Sequence, residues 1–157
     1  MHTKTDKQAA KQQVNSTATA KFDGIQASPA KVVLVSGVAT LLSPGSTTTV
    51  GYEIGHEPEQ AELLIRLTGS SGGGLCSKEW FELSTVMTLL DQQSPDKPFS
   101  SALFKTIWNN KGSSNNSAFL AAALRHQGLI KAAPEVRFAH LITGTHTAWL
   151  EQLKTTE

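Results

Sequence analysis

The residues with the clearest potential for chemistry lie in a glycine-rich stretch near the middle of the chain. Gly69 and Gly74 have the spacing of the two glycines in the phosphate-binding loop G-x-x-x-x-G-K-[ST]. That loop requires a lysine and then a hydroxyl directly after the second glycine, to hold the β/γ-phosphates and Mg²⁺. A leucine and a cysteine stand there instead, and Lys78 follows too late. The stretch therefore indicates a connecting loop rather than a nucleotide site, although backbone amides at the start of a helix at Ser77 could still hold an anion.

The cysteine and the histidines do not form a recognisable reactive set. Cys76 has no histidine near it in the sequence that could act as a base, so a partly buried structural cysteine is favoured over a nucleophile. His126, His140 and His146 do not show the spacing of a closed zinc site, and only one cysteine could join them. Because His140 alternates with apolar neighbours, we predict a histidine packed in a strand.

The acidic residues Glu57, Glu59 and Glu62 cluster around a predicted turn. The simplest interpretation is a solvated surface, with a divalent-ion site as the alternative. The sequence shows no constellation of nucleophile, general base and oxyanion donor. We therefore expect a protein that is not an enzyme and that requires neither a cofactor nor a metal.

The charges are distributed unevenly, although the net charge is only +1. Residues 53–96 contain eight acidic and two basic residues, whereas residues 97–150 contain six basic residues and one acidic residue. The molecule should therefore have an acidic middle and a basic C-terminal half. Such asymmetry is compatible with a nucleic-acid surface and equally with pairing of opposite charges inside the fold.

Length and composition predict one globular domain, since 39% of the 157 residues are hydrophobic and 17% are charged. A single cysteine excludes an intramolecular disulfide, so nothing requires an oxidising compartment. The longest apolar run, 32–42, is too short to span a bilayer and follows too long a polar segment for a signal peptide. We expect a soluble, cytoplasmic protein with a mobile polar tail at 1–28 and one compact domain at 29–157.

The first part of that domain, residues 29–68, has the pattern of β-strands. A turn signal, Ser-Pro-Gly-Ser, occupies 43–46, and a second, acidic turn covers 55–60. Short turns between strands predict a three-stranded antiparallel meander, with a bulge at Gly37. The three predicted strands are 31–42, 47–54 and 61–68.

Residues 77–154 mostly show apolar residues at helical spacing, which together with the meander predicts an α+β fold. The first helix begins at Ser77 and should cover the apolar face of the sheet with residues at helical spacing, namely Trp80, Leu83, Met87 and Leu90. The later predicted elements are a helix from Ser100 or Ser101 to Asn110 with a stop at Gly112, a helix from the caps at 113–117 to Gly128, strands at 129–130 and 136–142, and a helix from Thr147.

This order of three helices, a two-stranded hairpin and a helix, with Gly128-Leu129-Ile130 closing the third helix, resembles a winged-helix module over residues 77–154. The resemblance implies a DNA-binding protein. Two features depart from the pattern. The connection at 111–116 is longer than the turn of three or four residues in a helix-turn-helix. The outward face of the third helix would carry Ala118, Ala121, Ala122 and Arg125, and alanines cannot hydrogen-bond base edges.

We therefore predict a nucleic-acid-binding accessory or regulatory protein that contacts mainly phosphates through its basic C-terminal half. The alternative is a protein-interaction module or inhibitor that uses the acidic middle, and a homo-oligomer built on the alanine face is a third hypothesis. The predicted phosphate-contacting residues are Lys105, Lys111, Asn115, Asn116, Ser117, Arg125, Lys131 and Arg137.

Overall fold

The computed structural model describes residues 30–155, and a compact unit begins at Val32. The predicted tail at 1–28 lies outside the described residues. The strands are β1 (Val32–Thr40), β2 (Thr49–His56), β3 (Leu64–Ser70), β4 (Phe81–Glu82), β5 (Phe99–Ser100), β6 (Ile130–Ala132) and β7 (Ala139–Ile142). The helices are α1 (Leu83–Asp91), a 3-10 helix (Ser101–Trp108), α2 (Asn115–His126) and α3 (His146–Lys154). None of these helices combines the length and the apolar character needed to cross a membrane.

The predicted α+β class and antiparallel meander are confirmed, and β4 adds a short fourth strand in the order β1-β2-β3-β4. The predicted turn at 43–46 also forms, because the N–H of Ser46 donates to the carbonyl of Ser43 at 3.0 Å and Gly45 adopts φ 76°. The predicted bulge at Gly37 is wrong, since the register shifts between Val33 and Val35 instead. The core face of the sheet carries Val50, Tyr52, Ile54, Ile65 and Leu67.

The predicted helix start at Ser77 is wrong, because α1 begins only at Leu83. Two competing interactions hold the preceding segment in extended and turn conformations. Phe81 pairs with Ile65 as part of β4, and the hydroxyl of Ser77 accepts the N–H of Glu79 at 3.2 Å in a local turn. The amides after the glycine-rich loop therefore do not start a helix at Ser77, so an anion there would not meet a helix N-terminus.

The sheet is covered by two helices rather than by the first one alone. α1 contacts β3 and β4, whereas α2 contacts β1 and β2 as well as the 3-10 helix and β6. Helix α2 is buried on nearly all sides, which is typical of a helix in the centre of a core. Its buried residues are Asn116, Ser117, Phe119, Leu120, Ala121, Ala122, Ala123 and Leu124.

The prediction that Ala121 and Ala122 face outward is therefore wrong, since their exposed fractions are 0% and 1%. Small side chains allow close approach of neighbouring elements, and here those elements belong to the same chain. The alanine face proposed for a homo-oligomer is thus covered within one protomer.

The C-terminal half contains a second antiparallel sheet with strand order β5-β7-β6. The predicted hairpin is confirmed, with a first strand one residue longer and a second strand shorter than predicted, and Ile130 pairs with Ile142. The second predicted helix is a 3-10 helix capped by the hydroxyl of Ser100, and it ends at Trp108, with Asn109 as its C-cap, rather than at Asn110. One hydrophobic cluster includes residues of both halves, from Val50 in β2 to Leu153 in α3.

Candidate functional site

A cavity of about 140 Å³ lies beside the first turn of α2. Lys105 from the 3-10 helix and Lys111 from the following loop line it together with Asn116 and Ser117 of α2. Among the described residues that form its wall, none is acidic. Four of the eight predicted phosphate contacts therefore meet at one place.

The loop between the 3-10 helix and α2 brings the two lysines to the same cavity. Asn109 and Asn110 adopt left-handed conformations with φ of 54° and 59°, which asparagine tolerates better than most residues. The N–H of Asn110 donates to the carbonyl of Lys105 at 3.0 Å and closes the end of the 3-10 helix. The chain reverses at this point, so that Lys111 returns to the wall that Lys105 also lines.

Asn116 is the most buried polar residue in this wall, with an exposed fraction of 2%. Its Oδ1 accepts the backbone N–H of Ser77 at 2.8 Å. Because a backbone N–H can only donate, the amide oxygen must face Ser77, and the assignment of Nδ2 is fixed. Nδ2 is buried and has no hydrogen-bond partner within residues 30–155. A buried donor left without a partner costs roughly 1–3 kcal/mol, so an acceptor at this atom would be stabilising.

The N-terminus of α2 adds a positive electrostatic contribution to the cavity. The helix has 12 residues, no acidic residue in its first turn, and no side-chain cap from its N-cap residue Ser114. The aligned peptide dipoles of such a helix place a partial positive charge at this end. Two lysines and a helix N-terminus therefore act on the same small volume.

The remaining predicted contacts lie outside the wall of this cavity. Asn115 donates from Nδ2 to the carbonyl of Leu75 at 3.0 Å and holds the glycine-rich loop against α2. Lys131 in β6 is exposed, as is Arg137, whose guanidinium lies 5.2 Å from the ring centre of Phe138.

Arg125 is engaged with His140 inside the fold. Its Nε and Nη2 lie 3.1 and 3.0 Å from Nδ1 of His140, and Nη2 also donates to the carbonyl of Ala139 at 3.3 Å. Arg125 was predicted to contact phosphate, and its guanidinium also has a structural role, because it links α2 to β7.

His140 also contacts Ser101, with 2.9 Å between Nε2 and Oγ, so that half-buried Ser101 and Arg125 flank a buried histidine. A guanidinium only donates, so Nδ1 of His140 must accept, and the proton of the neutral ring must lie on Nε2. Nε2 therefore donates to Ser101. A general base for serine needs the opposite tautomer, with a free lone pair on Nε2 and an acceptor beside Nδ1. The geometry is that of a structural hydrogen-bond chain.

The pKa of His140 is lowered from 6.5 to about 4, first by burial and then by the positive charge of Arg125. Both causes disfavour the imidazolium. His140 has an exposed fraction of 0%, which agrees with the predicted histidine packed in a strand. It is neutral throughout the ordinary pH range.

The glycine-rich loop packs against α2 at Gly74. A Cβ at Gly74 would lie 3.0 Å from Nδ2 of Asn115 and 3.3 Å from the ring of Phe119, so a glycine here permits close approach to α2. Cys76 is half-buried, and burial raises the pKa of its thiol more than the charge of Lys78 lowers it. A raised thiol pKa is the opposite of what an activated nucleophile requires.

The acidic segment does not gather into a metal site. Glu59 and Glu62 are exposed and Glu57 is half-buried. Within residues 30–155, no group of three His, Cys, Asp or Glu side chains is arranged to hold a metal ion. The prediction of a protein partner at this segment stays a prediction.

Comparison of the chain with protein-family models, with curated proteins and with solved structures gives no match.

Sequence reasoning missed the feature that makes Asn116 distinctive. The polar run at 113–117 identified the region, but the acceptor role of Oδ1 depends on Ser77, which is 39 residues away in the chain. The sequence around Asn116 carries no signal of that contact. It also gave no sign that Trp108 and Gly112 would form part of the same wall.

Proposed function

We propose that this protein binds nucleic acid without catalysing a reaction, mainly through phosphate groups, at the cavity beside the first turn of α2. The observation that carries the proposal is the convergence of Lys105 and Lys111 on a helix N-terminus whose wall also contains Asn116 and Ser117. Lysines, helix N-termini and neutral side-chain donors are the groups that proteins use against phosphate oxygens.

The burial of α2 supports contact with phosphates rather than with bases. Reading a base edge requires side chains that enter a groove and donate or accept there. Residues 119–124 of α2 are all buried, so the middle of the helix offers no side chain to a groove. We therefore expect binding that depends little on sequence.

A second feature near the first turn of α2 is suited to a flexible strand. Phe138 is 49% exposed and adopts φ 60°, and it lines an open groove of about 450 Å³ together with Asn115 and Ala118. An exposed aromatic ring is a surface on which a base can stack, independently of its identity. This feature favours single-stranded over double-stranded nucleic acid.

The winged-helix resemblance stays a prediction. The order α1, 3-10 helix, α2, hairpin β6–β7 and α3 supports it, whereas the buried face of α2 argues against the usual use of a recognition helix. An accessory or regulatory role on DNA is therefore proposed on the basis of the phosphate contacts alone.

Fluorescence anisotropy with a labelled single-stranded and a labelled duplex oligonucleotide tests the proposal. Affinity should fall as salt rises, with a log–log slope of about −0.7 per neutralised phosphate for the single strand and about −0.9 for the duplex. The double variant Lys105→Ala, Lys111→Ala should reduce the slope by roughly two such units. The control variant Lys97→Ala, Lys154→Ala removes the same charge from exposed positions outside the cavity. Absence of binding at low salt, or equal effects of the two double variants, would overturn the proposal.

A further inference from the structure

Asn116 lines the cavity beside α2 and carries a donor that residues 30–155 leave unpaired. Nδ2 of Asn116 is buried and lacks a hydrogen-bond partner within the described residues, while Oδ1 of the same amide is fixed by Ser77. In native proteins nearly every buried polar atom is paired, so an orphan donor beside a cavity points to a missing acceptor. The acceptor is therefore supplied by something other than residues 30–155.

The charges around this donor determine what kind of acceptor fits. Lys105 and Lys111 are both exposed and both line the cavity. The N-terminus of α2 adds its partial positive charge, and its first turn contains no acidic residue. A neutral acceptor would satisfy Asn116 but would leave the cationic field without a counterpart, whereas an anion satisfies both.

The cavity is larger than one water molecule, and a glycine in its wall lies next to the orphan donor. A volume of about 140 Å³ exceeds the roughly 10–15 Å³ that one water molecule needs. Gly112 adopts φ 83°, and a Cβ there would lie 3.1 Å from Nδ2 of Asn116. A side chain at position 112 would therefore press against the orphan donor.

We propose that this cavity is a binding site for one tetrahedral oxyanion of the phosphate class, with Asn116 Nδ2 as its buried donor and Lys105 and Lys111 as its charged rim. The inference rests on the proposed function, because it specifies the chemical group that is bound. It applies equally to inorganic phosphate. The phosphate could belong to a free ion, to the end of a nucleic acid strand or to an internal diester. These sources share the same chemistry.

Titration of the full chain with inorganic phosphate, followed by ¹⁵N–¹H NMR, tests the inference. The side-chain NH₂ signals of Asn116 and the backbone amides of 113–117 should shift, and matched chloride should not shift them. Asn116→Asp keeps the acceptor for Ser77 but replaces the donor with a carboxylate, and it should weaken phosphate binding about tenfold or more. Asn109→Asp adds the same charge at an exposed left-handed position outside the cavity wall and should change affinity little.

Lys105→Gln and Lys111→Gln change exposed side chains and provide variants that fold even if a buried aspartate is not tolerated. Each should weaken phosphate binding several-fold, and a double variant that binds phosphate like the wild type would overturn the inference. Phosphate shifts that chloride reproduces, or the absence of any shift at Asn116, would indicate a buried water at Nδ2 and would also overturn it.

A comparison of one oligonucleotide with and without a 5′-phosphate separates the sources. Tighter binding of the phosphorylated form by about tenfold identifies a terminal phosphate, and equal binding identifies an internal diester. Inorganic phosphate that binds to a protein without affinity for either oligonucleotide supports the oxyanion site and overturns the proposed function. If Asn116→Asp leaves oligonucleotide binding unchanged, the result supports the proposed function and overturns the oxyanion site.

Discussion

Gly37 and Tyr52 are cross-strand partners in β1 and β2, and the phenol ring of Tyr52 covers the backbone of Gly37. A Cβ at position 37 would lie 2.5 Å from both Cζ and Oη of that ring. Tyr52 is 1% exposed, and its hydroxyl accepts Gln127 Nε2 at 2.6 Å while lying 2.6 Å from His126 Nδ1. The glycine therefore lets one aromatic side chain connect the edge strand of the sheet to the end of α2.

Gly37→Ala should destabilise the protein by about 1–3 kcal/mol, because the added methyl group overlaps a ring that is fixed at its far end. The midpoint of urea unfolding, measured by circular dichroism, checks this. Ser36→Ala is the matched control, since Ser36 is the exposed neighbour in the same strand. Equal midpoints for the two variants would show that Tyr52 moves aside without cost.

The pair formed by His140 and Arg125 should make stability depend on pH. The unfolded chain takes up a proton at His140 near its ordinary pKa of 6.5, whereas the folded state resists protonation until about pH 4. The folded state therefore binds fewer protons in this window, and its stability falls as the pH falls from 6.5 to 4. The loss should amount to about 3 kcal/mol and be absent above pH 6.5.

Urea unfolding of the wild type and of His140→Gln between pH 4 and pH 7.5 measures this contribution. Glutamine supplies one acceptor and one donor but does not titrate, so the variant should lack the His140 part of the pH dependence. His126→Gln, which alters an exposed imidazole, should retain it. A wild-type curve parallel to that of His140→Gln would contradict the prediction.

Local sequence signals predicted the elements that depend on local physics. The turn at 43–46 follows from a proline and glycine that favour its dihedral angles, and the end of α2 near Gly128 follows from the left-handed conformation that glycine adopts there, with φ 78°. The core face of β2 and β3 followed from the period of two residues, because burial on one side of a sheet selects that period.

The sequence-based predictions were wrong where residues distant in the chain determine the local structure. The segment after the glycine-rich loop has helical spacing, yet Phe81 pairs with Ile65 and delays α1 until Leu83. The amphipathic pattern of α2 predicted one outward face, but β1, β2, β6 and the 3-10 helix surround it. The sequence predicted some residues of the cavity wall, because lysines and asparagines indicate a polar surface. It did not predict the contact between Asn116 and Ser77.

Asp91 at the end of α1 and His146 at the start of α3 should contribute to stability as a pair. Oδ1 of Asp91 lies 2.6 Å from Nε2 of His146, which is 8% exposed, and Nδ1 of the same ring has no partner within residues 30–155. Asp91→Ala removes the hydrogen bond of a buried ring and should cost about 1–3 kcal/mol. Asp91→Asn keeps an acceptor oxygen and should cost less.

Thermal and urea unfolding of these variants, beside Asp96→Ala, check the pair. Asp96 is an exposed acid in the loop after α1, so its truncation should stay within about 0.5 kcal/mol of the wild type. If Asp91→Ala were no more destabilising than Asp96→Ala, the contact between α1 and α3 would carry no net stability.

Ala122→Glu distinguishes a buried α2 from an α2 that forms an interface between protomers. Ala122 is 1% exposed, so a glutamate there would place a carboxylate among apolar neighbours without a partner. We expect the loss of cooperative unfolding in circular dichroism at neutral pH rather than a change of oligomeric state. Ala148→Glu makes the same change at an exposed position of α3 and should leave the fold intact. A folded Ala122→Glu variant that differs from the wild type only in sedimentation would instead show that the alanine face is an intermolecular surface.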